Sequence, residues 1–239
     1  MLAKVATHAM PVFRLTEKLI FPPVYLSTPE GLLAVGGDLS VQRLLLAYKS
    51  GIFPWFSKSE PLLWWSPDPR SVLFPHELNI SRSLQKVLKQ KRYTVRMDTD
   101  FRFVIESCSV IERKDQDDTW ITDEMIDAYL KLYRQGYAHS VETWYRGEIV
   151  GGLYGVSIGR CFFGESMFSK RSDASKVALV YLSRFAADME FGFIDCQVPS
   201  GHLRRLGARN IPRKRFMRLL AKHINQPTAF GPWRFGNIR

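Results

Sequence analysis

The chain has 239 residues, 46% hydrophobic and 24% charged, with a formal net charge of +11. Such totals fit a soluble globular protein, either one large domain or a main domain with a small companion, and no apolar run reaches the ~18–20 residues of a membrane-spanning helix. Cys108, Cys161 and Cys196 lack CxxC spacing, which disfavours a disulfide framework or a zinc site and fits reduced thiols in the cytoplasm, while the positive charge favours a polyanionic partner such as nucleic acid.

The N-terminal stretch MLAKVATHAMPVF has no continuous apolar segment, so no signal peptide is expected. Residues 1–70 differ in texture from the rest. Val41 to Lys49 reads as a short helix, with Ser40 as N-cap and Gly51 as stop. The stretch GIFPWFSKSEPLLWWSPDPR (51–70) is dense in aromatics and prolines, and it reads as an ordered loop or boundary without regular structure. From residue 71 the pattern becomes mixed. Ser81 to Lys91 reads as a basic helix, Tyr93 to Met97 as a strand, and Phe101 to Ser109 as a helix. Asp123 to Gln135 is an amphipathic helix with Met125, Ile126, Tyr129, Leu130 and Tyr133 on its apolar stripe. Three strand-like runs follow, His139 to Tyr145, Ile149 to Val156 and Cys161 to Met167, and their tight links imply an antiparallel meander. A helix from Asp173 to Met189, a strand over 193–198 and a basic block over 202–223, helical from Pro212 onward, complete the chain. Helix, three antiparallel strands, helix, strand is the core order of the acetyltransferase-like (GNAT) fold, an α+β architecture.

Three polar residues interrupt apolar strands. Glu165 lies in CFFGESMFSK (161–170), and Asp195 and Gln197 lie in GFIDCQVPSGHL (192–203). Side chains alternate along a strand, so Asp195 and Gln197 should share a face. In a strand–helix–strand unit the two strands can neighbour each other, and the three side chains can then converge on one site. The alternative is three solvent-facing residues on a half-exposed sheet. Lys170, Arg171 and Lys176 flank the intervening helix N-terminus, which favours anions. No glycine occurs from Glu165 through Glu190, so the glycine-rich pyrophosphate loop of acetyl-CoA enzymes is absent. Trp55, Trp64, Trp65 and Trp120 could anchor a core or line a pocket, and the two basic blocks could be solvated faces or a polyanion site. The five histidines form no HxH or HxxxH pair, and no GxSxG, Walker or Rossmann motif occurs.

In order along the chain stand GLLAVGGDLS, GIFPWFS, LLWWSPDPRSVLFP, DDTWIT, AHSVETW, GGLYGVSIG, FFGESMFS, ASKVALV, FIDCQV and HLRRLGARNIPRKRF. Together they resemble the bacterial leucyl/phenylalanyl-tRNA–protein transferase family over residues 25 to 216. The resemblance implies a small N-terminal domain (1–70) followed by a GNAT-like catalytic domain (71–239) with a mainly antiparallel sheet flanked by helices. It implies transfer of Leu or Phe, with Met as a third donor, from aminoacyl-tRNA to the N-terminal Arg or Lys of a protein, marking that protein for degradation. It implies no metal and no cofactor, a monomer, and no membrane partner. Asp195 and Gln197 match the family's catalytic pair, and Glu165 matches its site glutamate. Trp55, Trp120, Leu153, Phe162, Gly164 and Ile194 match or adjoin positions of the aminoacyl and adenosine pocket, while Arg82, Lys86 and Lys89 match the helix that meets tRNA phosphates. Two departures stand out: Leu153 replaces a methionine found in some members, and Arg205 stands where a small residue is expected. The rival readings are an RNA-binding module without catalysis and another GNAT-like acyltransferase with a different acceptor.

Overall fold

The computed structural model describes residues 12–111 and 121–235. In chain order the elements are β1 (Phe13–Leu15), β2 (Leu32–Gly36), α1 (Val41–Lys49), β3 (Phe53–Pro54), β4 (Leu63–Trp65), β5 (Arg70–Leu73), α2 (Arg82–Lys89), β6 (Thr94–Met97), α3 (Phe101–Ser109), α4 (Asp123–Arg134), β7 (Ala138–Tyr145), β8 (Glu148–Ile158), β9 (Cys161–Ser169), α5 (Ala174–Asp188), β10 (Phe193–Gln197), α6 (Gly201–Arg205), β11 (Arg209–Ile211) and α7 (Arg213–His223). Helix starts follow local chemistry. The side chains of Ser40, Ser81, Asp100 and Thr122 accept from the backbone N–H three residues on, capping α1, α2, α3 and α4. Helix α4 also carries Asp123 and Glu124 in its first turn and Lys131 and Arg134 in its last, which complements its dipole.

The expected α+β architecture holds. A four-stranded sheet, β1-β2-β4-β3, forms the N-terminal part, and a seven-stranded sheet, β11-β5-β10-β9-β8-β7-β6, forms the rest. Among the described residues of the large sheet only β9 and β10 pair in parallel, and α5 makes the crossover that a parallel pair requires. The remaining neighbours are antiparallel, including the meander β7-β8-β9. Helices α3 and α4 pack on one face together with α1 from the N-terminal part, whereas α2 and α5 pack on the other.

The aromatic and proline-rich stretch is not irregular, contrary to expectation. It contains β3 and β4, which pair antiparallel. Its prolines are tolerated because Pro54 sits on β3, the edge of its sheet, and Pro61 lies in the link between β3 and β4. Trp64 is fully buried there and donates from its indole nitrogen to Gly36 O at 2.8 Å. At the far end of the chain, Trp233 is buried against the large sheet. Its ring stacks on His139 with centroids 3.7 Å apart and lies 4.5 Å from Phe185. Asp98 fixes this strap by accepting from His139 Nδ1 at 2.8 Å and from the Trp233 N–H at 2.6 Å. Trp233→Ala is therefore expected to lower stability by about 3–5 kcal/mol, read as a shift of the urea midpoint without a change in slope.

Candidate active site

A cavity of about 350 Å³ opens where β9 and β10 part company. Their parallel register runs from Phe193–Cys161 through Asp195–Phe163 and stops there. Each strand carries a bulge at this point. On β9, Gly164 faces Gly155 and Ser166 faces Tyr154, which leaves Glu165 as the extra residue. On β10, Asp195 faces Val72 and Gln197 faces Ser71, which leaves Cys196 as the extra residue. Gln197 adopts a left-handed backbone with φ of 61°. Bulges bend strands and re-aim side chains, so two of them side by side splay the sheet and turn polar groups into the gap. The two carboxylates and the carboxamide do converge, but through these bulges and not through simple alternation.

Asp195 is fully buried, and its partner is equally buried Arg70. The guanidinium donates from Nε to Oδ1 at 2.9 Å and from Nη2 to Oδ2 at 2.7 Å, a bidentate fork. It is held between the rings of Phe53 and Phe216, 4.7 and 4.6 Å from their centroids, and Nη1 donates to Gly51 O at 3.2 Å. The Gln197 backbone N–H donates to Asp195 Oδ1 at 2.9 Å. Asp195 thus holds the bulge and the left-handed Gln197, and its charge is met by Arg70.

Glu165 lies in a different setting. Tyr48 OH donates to its Oε1 and Tyr129 OH to its Oε2, both at 2.8 Å, and Gln197 Nε2 donates to Oε1 at 2.9 Å. The two tyrosine hydroxyls also touch each other. Among the described residues no cation joins this group, and burial raises the Glu165 carboxyl to about 7, only partly offset by the tyrosine hydrogen bonds. Burial pushes both tyrosines well above their ordinary value, so they stay protonated.

Phe53, Trp55, Leu153, Met167, Leu179 and Ile194 give the cavity apolar walls, and Gly164 and His202 also line it. Burial, with Lys176 and Arg205 nearby, depresses His202, which is neutral at pH 7. Burial raises the Cys196 thiol, so it is no thiolate nucleophile. Of the residues expected in the pocket, Phe162 is not in the wall: it is fully buried in the core beneath, against Trp233. Trp120 lies outside the described residues. Arg82, Lys86 and Lys89 line a shallow groove along α2, separate from the cavity.

Arg70, Tyr48 and Tyr129 are site residues that sequence reasoning passed over. Tyr129 reads as one more residue of an apolar stripe, although a tyrosine on a core stripe needs a partner for its hydroxyl. Arg70 closes a proline-rich stretch that reads as loop, and nothing local marks it as buried. Its removal would leave a bare buried carboxylate. Arg70→Met is expected to destabilise by about 3–5 kcal/mol at pH 7, and adding Asp195→Leu to recover much of the loss, measured by denaturant unfolding of the full cycle.

Comparison with known proteins gives the context. The sequence profile described as "Leucyl/phenylalanyl-tRNA protein transferase" matches residues 72–221, and that of its N-terminal domain matches residues 37–68. A relative named leucyl/phenylalanyl-tRNA–protein transferase from Syntrophobacter fumaroxidans is 57% identical over 224 residues, covering 94% of this chain and 96% of the relative. One of the same name from Syntrophus aciditrophicus is 54% identical, covering 94% of each chain. Another from Pseudomonas fluorescens is 54% identical, covering 91% of this chain and 96% of the relative. The two profiles and these identities over nearly full length place the chain in the leucyl/phenylalanyl-tRNA–protein transferase family.

Proposed function

We propose that the chain moves a leucyl or phenylalanyl group, with methionyl as a third donor, from tRNA to the α-amine of a protein that begins with Arg or Lys. The new amide bond marks the acceptor for degradation. The reading includes action as a monomer in the cytoplasm, with a small domain over 1–70 and a catalytic domain over 71–239. No helix among the described residues is long and apolar enough to cross a membrane. The observation that carries the mechanism is the unequal environment of the two carboxylates: Asp195 is paired with Arg70, and Glu165 is held by neutral hydroxyls alone among charged and hydroxyl partners.

The substrate ester is already activated, so the site's tasks are orientation and proton management. The apolar wall takes an unbranched-at-β side chain, and shape and size set its selectivity. Gln197 gives its Nε2 protons to Glu165, which leaves its carbonyl oxygen to accept from the incoming amine. An amide is a very weak base, so Gln197 orients the amine and does not deprotonate it. Ionised Glu165, which lines the same cavity, takes the proton directly as the amine nitrogen bonds to the ester carbonyl carbon. The C–O bond to the ribose then breaks, and that proton, returned through Glu165, completes the ribose hydroxyl. Charge and atoms balance, and Glu165 ends ionised as it began. Asp195 acts through Gln197, as a positioning residue. The cationic side chain of the acceptor is favoured by the same ionised Glu165.

The direct test uses tRNA charged with labelled leucine and two peptides that differ only in an N-terminal Arg or Gly. Alkali-stable label on the Arg peptide alone supports the reading, whereas bound charged tRNA without transfer to either overturns it. The pH dependence has a defined sign. Transfer needs Glu165 ionised and the acceptor amine neutral, so log kcat/KM should rise more steeply below pH about 7, where Glu165 titrates, than between there and the ~8 of the α-amine. Glu165→Gln should remove the steeper part and lower the rate by about 10²–10⁴. Between the ordinary carboxyl range and pH about 7 the folded chain holds a proton that the unfolded chain has released, so stability falls as pH rises through that window. Glu165→Gln should remove that part of the fall in a urea titration at pH 5 and pH 8.

A further inference from the structure

A second concavity, of about 590 Å³, lies between the end of α2, the start of β6 and α5. Its cations are Lys89, Lys91, Arg92 and Arg184, all exposed, and no acidic residue lines it. The chain leaves α2 through Lys91 in the left-handed region, φ 47°, before turning into β6. Three aromatic rings face the same space. Tyr93 is fixed by its hydroxyl donating to Ser172 O at 2.8 Å. Tyr181 packs edge-on against Phe235, centroids 5.4 Å apart, and Phe235 remains 37% exposed. Arg184 lies 5.5 Å above the Tyr181 ring. Val177, Tyr181 and Arg184 form one stripe of α5; the stripe ends in Asp188, which does not line the groove.

We propose that this groove is an RNA-binding site that takes one unstacked nucleotide, its base against Tyr181 and Phe235 and its flanking phosphates on Arg92, Arg184 and Lys91. Cations beside open π-faces are the pairing that single-stranded nucleic acid requires, and a polyanion without bases would leave the rings unused. The position fits one continuous ligand. Lys89 lines both this groove and the groove with Arg82 and Lys86, so the basic surface runs unbroken across α2. Leu179, which lines the catalytic cavity, is two residues from both Val177 and Tyr181, hence on the opposite flank of the same helix. A helix is about 10 Å across, so the groove and the cavity lie within one helix width of each other at α5. The assignment of this RNA as the donor tRNA rests on the transferase reading; the groove's affinity for single strands does not.

The test is fluorescence anisotropy of end-labelled, uncharged tRNA with the full chain at several salt concentrations. Arg92→Ala/Arg184→Ala should weaken binding about tenfold and make the salt slope shallower by about 1.4, the value for two single-strand phosphate contacts. Tyr181→Ala should weaken binding about fivefold without altering the slope, and Tyr181→Phe, which keeps the ring, should retain wild-type affinity. Arg134→Ala, on α4 across the sheet, is the control. An unlabelled single-stranded oligonucleotide should compete, and a blunt duplex of equal charge should compete less. Wild-type affinity and slope in the double-arginine variant, or an equal loss in Arg134→Ala, would overturn the site. Polyphosphate competing as well as the single strand would overturn the nucleotide assignment. Should the wild-type chain bind tRNA through this groove yet transfer nothing, the transferase reading fails and the groove stands.

Discussion

The buried pair of Arg70 and Asp195 is the constraint on which the rest of the site depends. Two charges in the interior cost several kcal/mol each in lost hydration, and only near-ideal geometry offsets that. Here the fork is bidentate, two aromatic faces enclose the guanidinium, and a carbonyl takes a further N–H. The partners come from separate places: Arg70 opens β5, Asp195 lies on β10, Phe53 belongs to β3, and Phe216 to α7. One side chain therefore ties the small sheet, the large sheet and the last helix together. Gly51, whose carbonyl completes the set, follows directly on α1, which carries Tyr48. The position of the hydroxyl on Glu165 is thus linked to the same clamp.

With Asp195 engaged, the two carboxylates divide their tasks. The Arg70 cation gives Asp195 two N–H groups and the Gln197 backbone a third, whereas Glu165 meets neutral hydroxyls, one amide and burial. Gln197 is the bridge: its backbone N–H reaches one carboxylate and its side chain the other. Its left-handed backbone would cost energy in isolation, and the Asp195 hydrogen bond supports it in place.

Much of this was legible in the sequence, and the illegible part has physical reasons. Long periodic elements such as α4, α5 and the β7–β8–β9 meander announce themselves because one face is apolar and the links are short. The strands β3, β4 and β5 did not, because they are two to four residues long and lie among prolines, where edge position and turns, not propensity, make proline acceptable. Asp195, Gln197 and Glu165 were conspicuous as polar breaks in apolar strands. Their convergence depends on two bulges, and alternation alone carries no sign of a bulge. Arg70 has no local signature at all: a buried arginine differs from a surface one only through partners that are distant in sequence, here 125 residues away.

The claim at the centre of this account is that the Glu165 carboxyl gains and loses its proton near neutral pH. Carbon-13 NMR of chain labelled at the glutamate and aspartate side-chain carboxyls, titrated from pH 4 to pH 9, observes this without substrate. The account predicts a glutamate signal that titrates near pH 7 and vanishes in Glu165→Gln. Titration of every glutamate in the ordinary carboxylate range, or a glutamate signal near pH 7 that persists in Glu165→Gln, would contradict it.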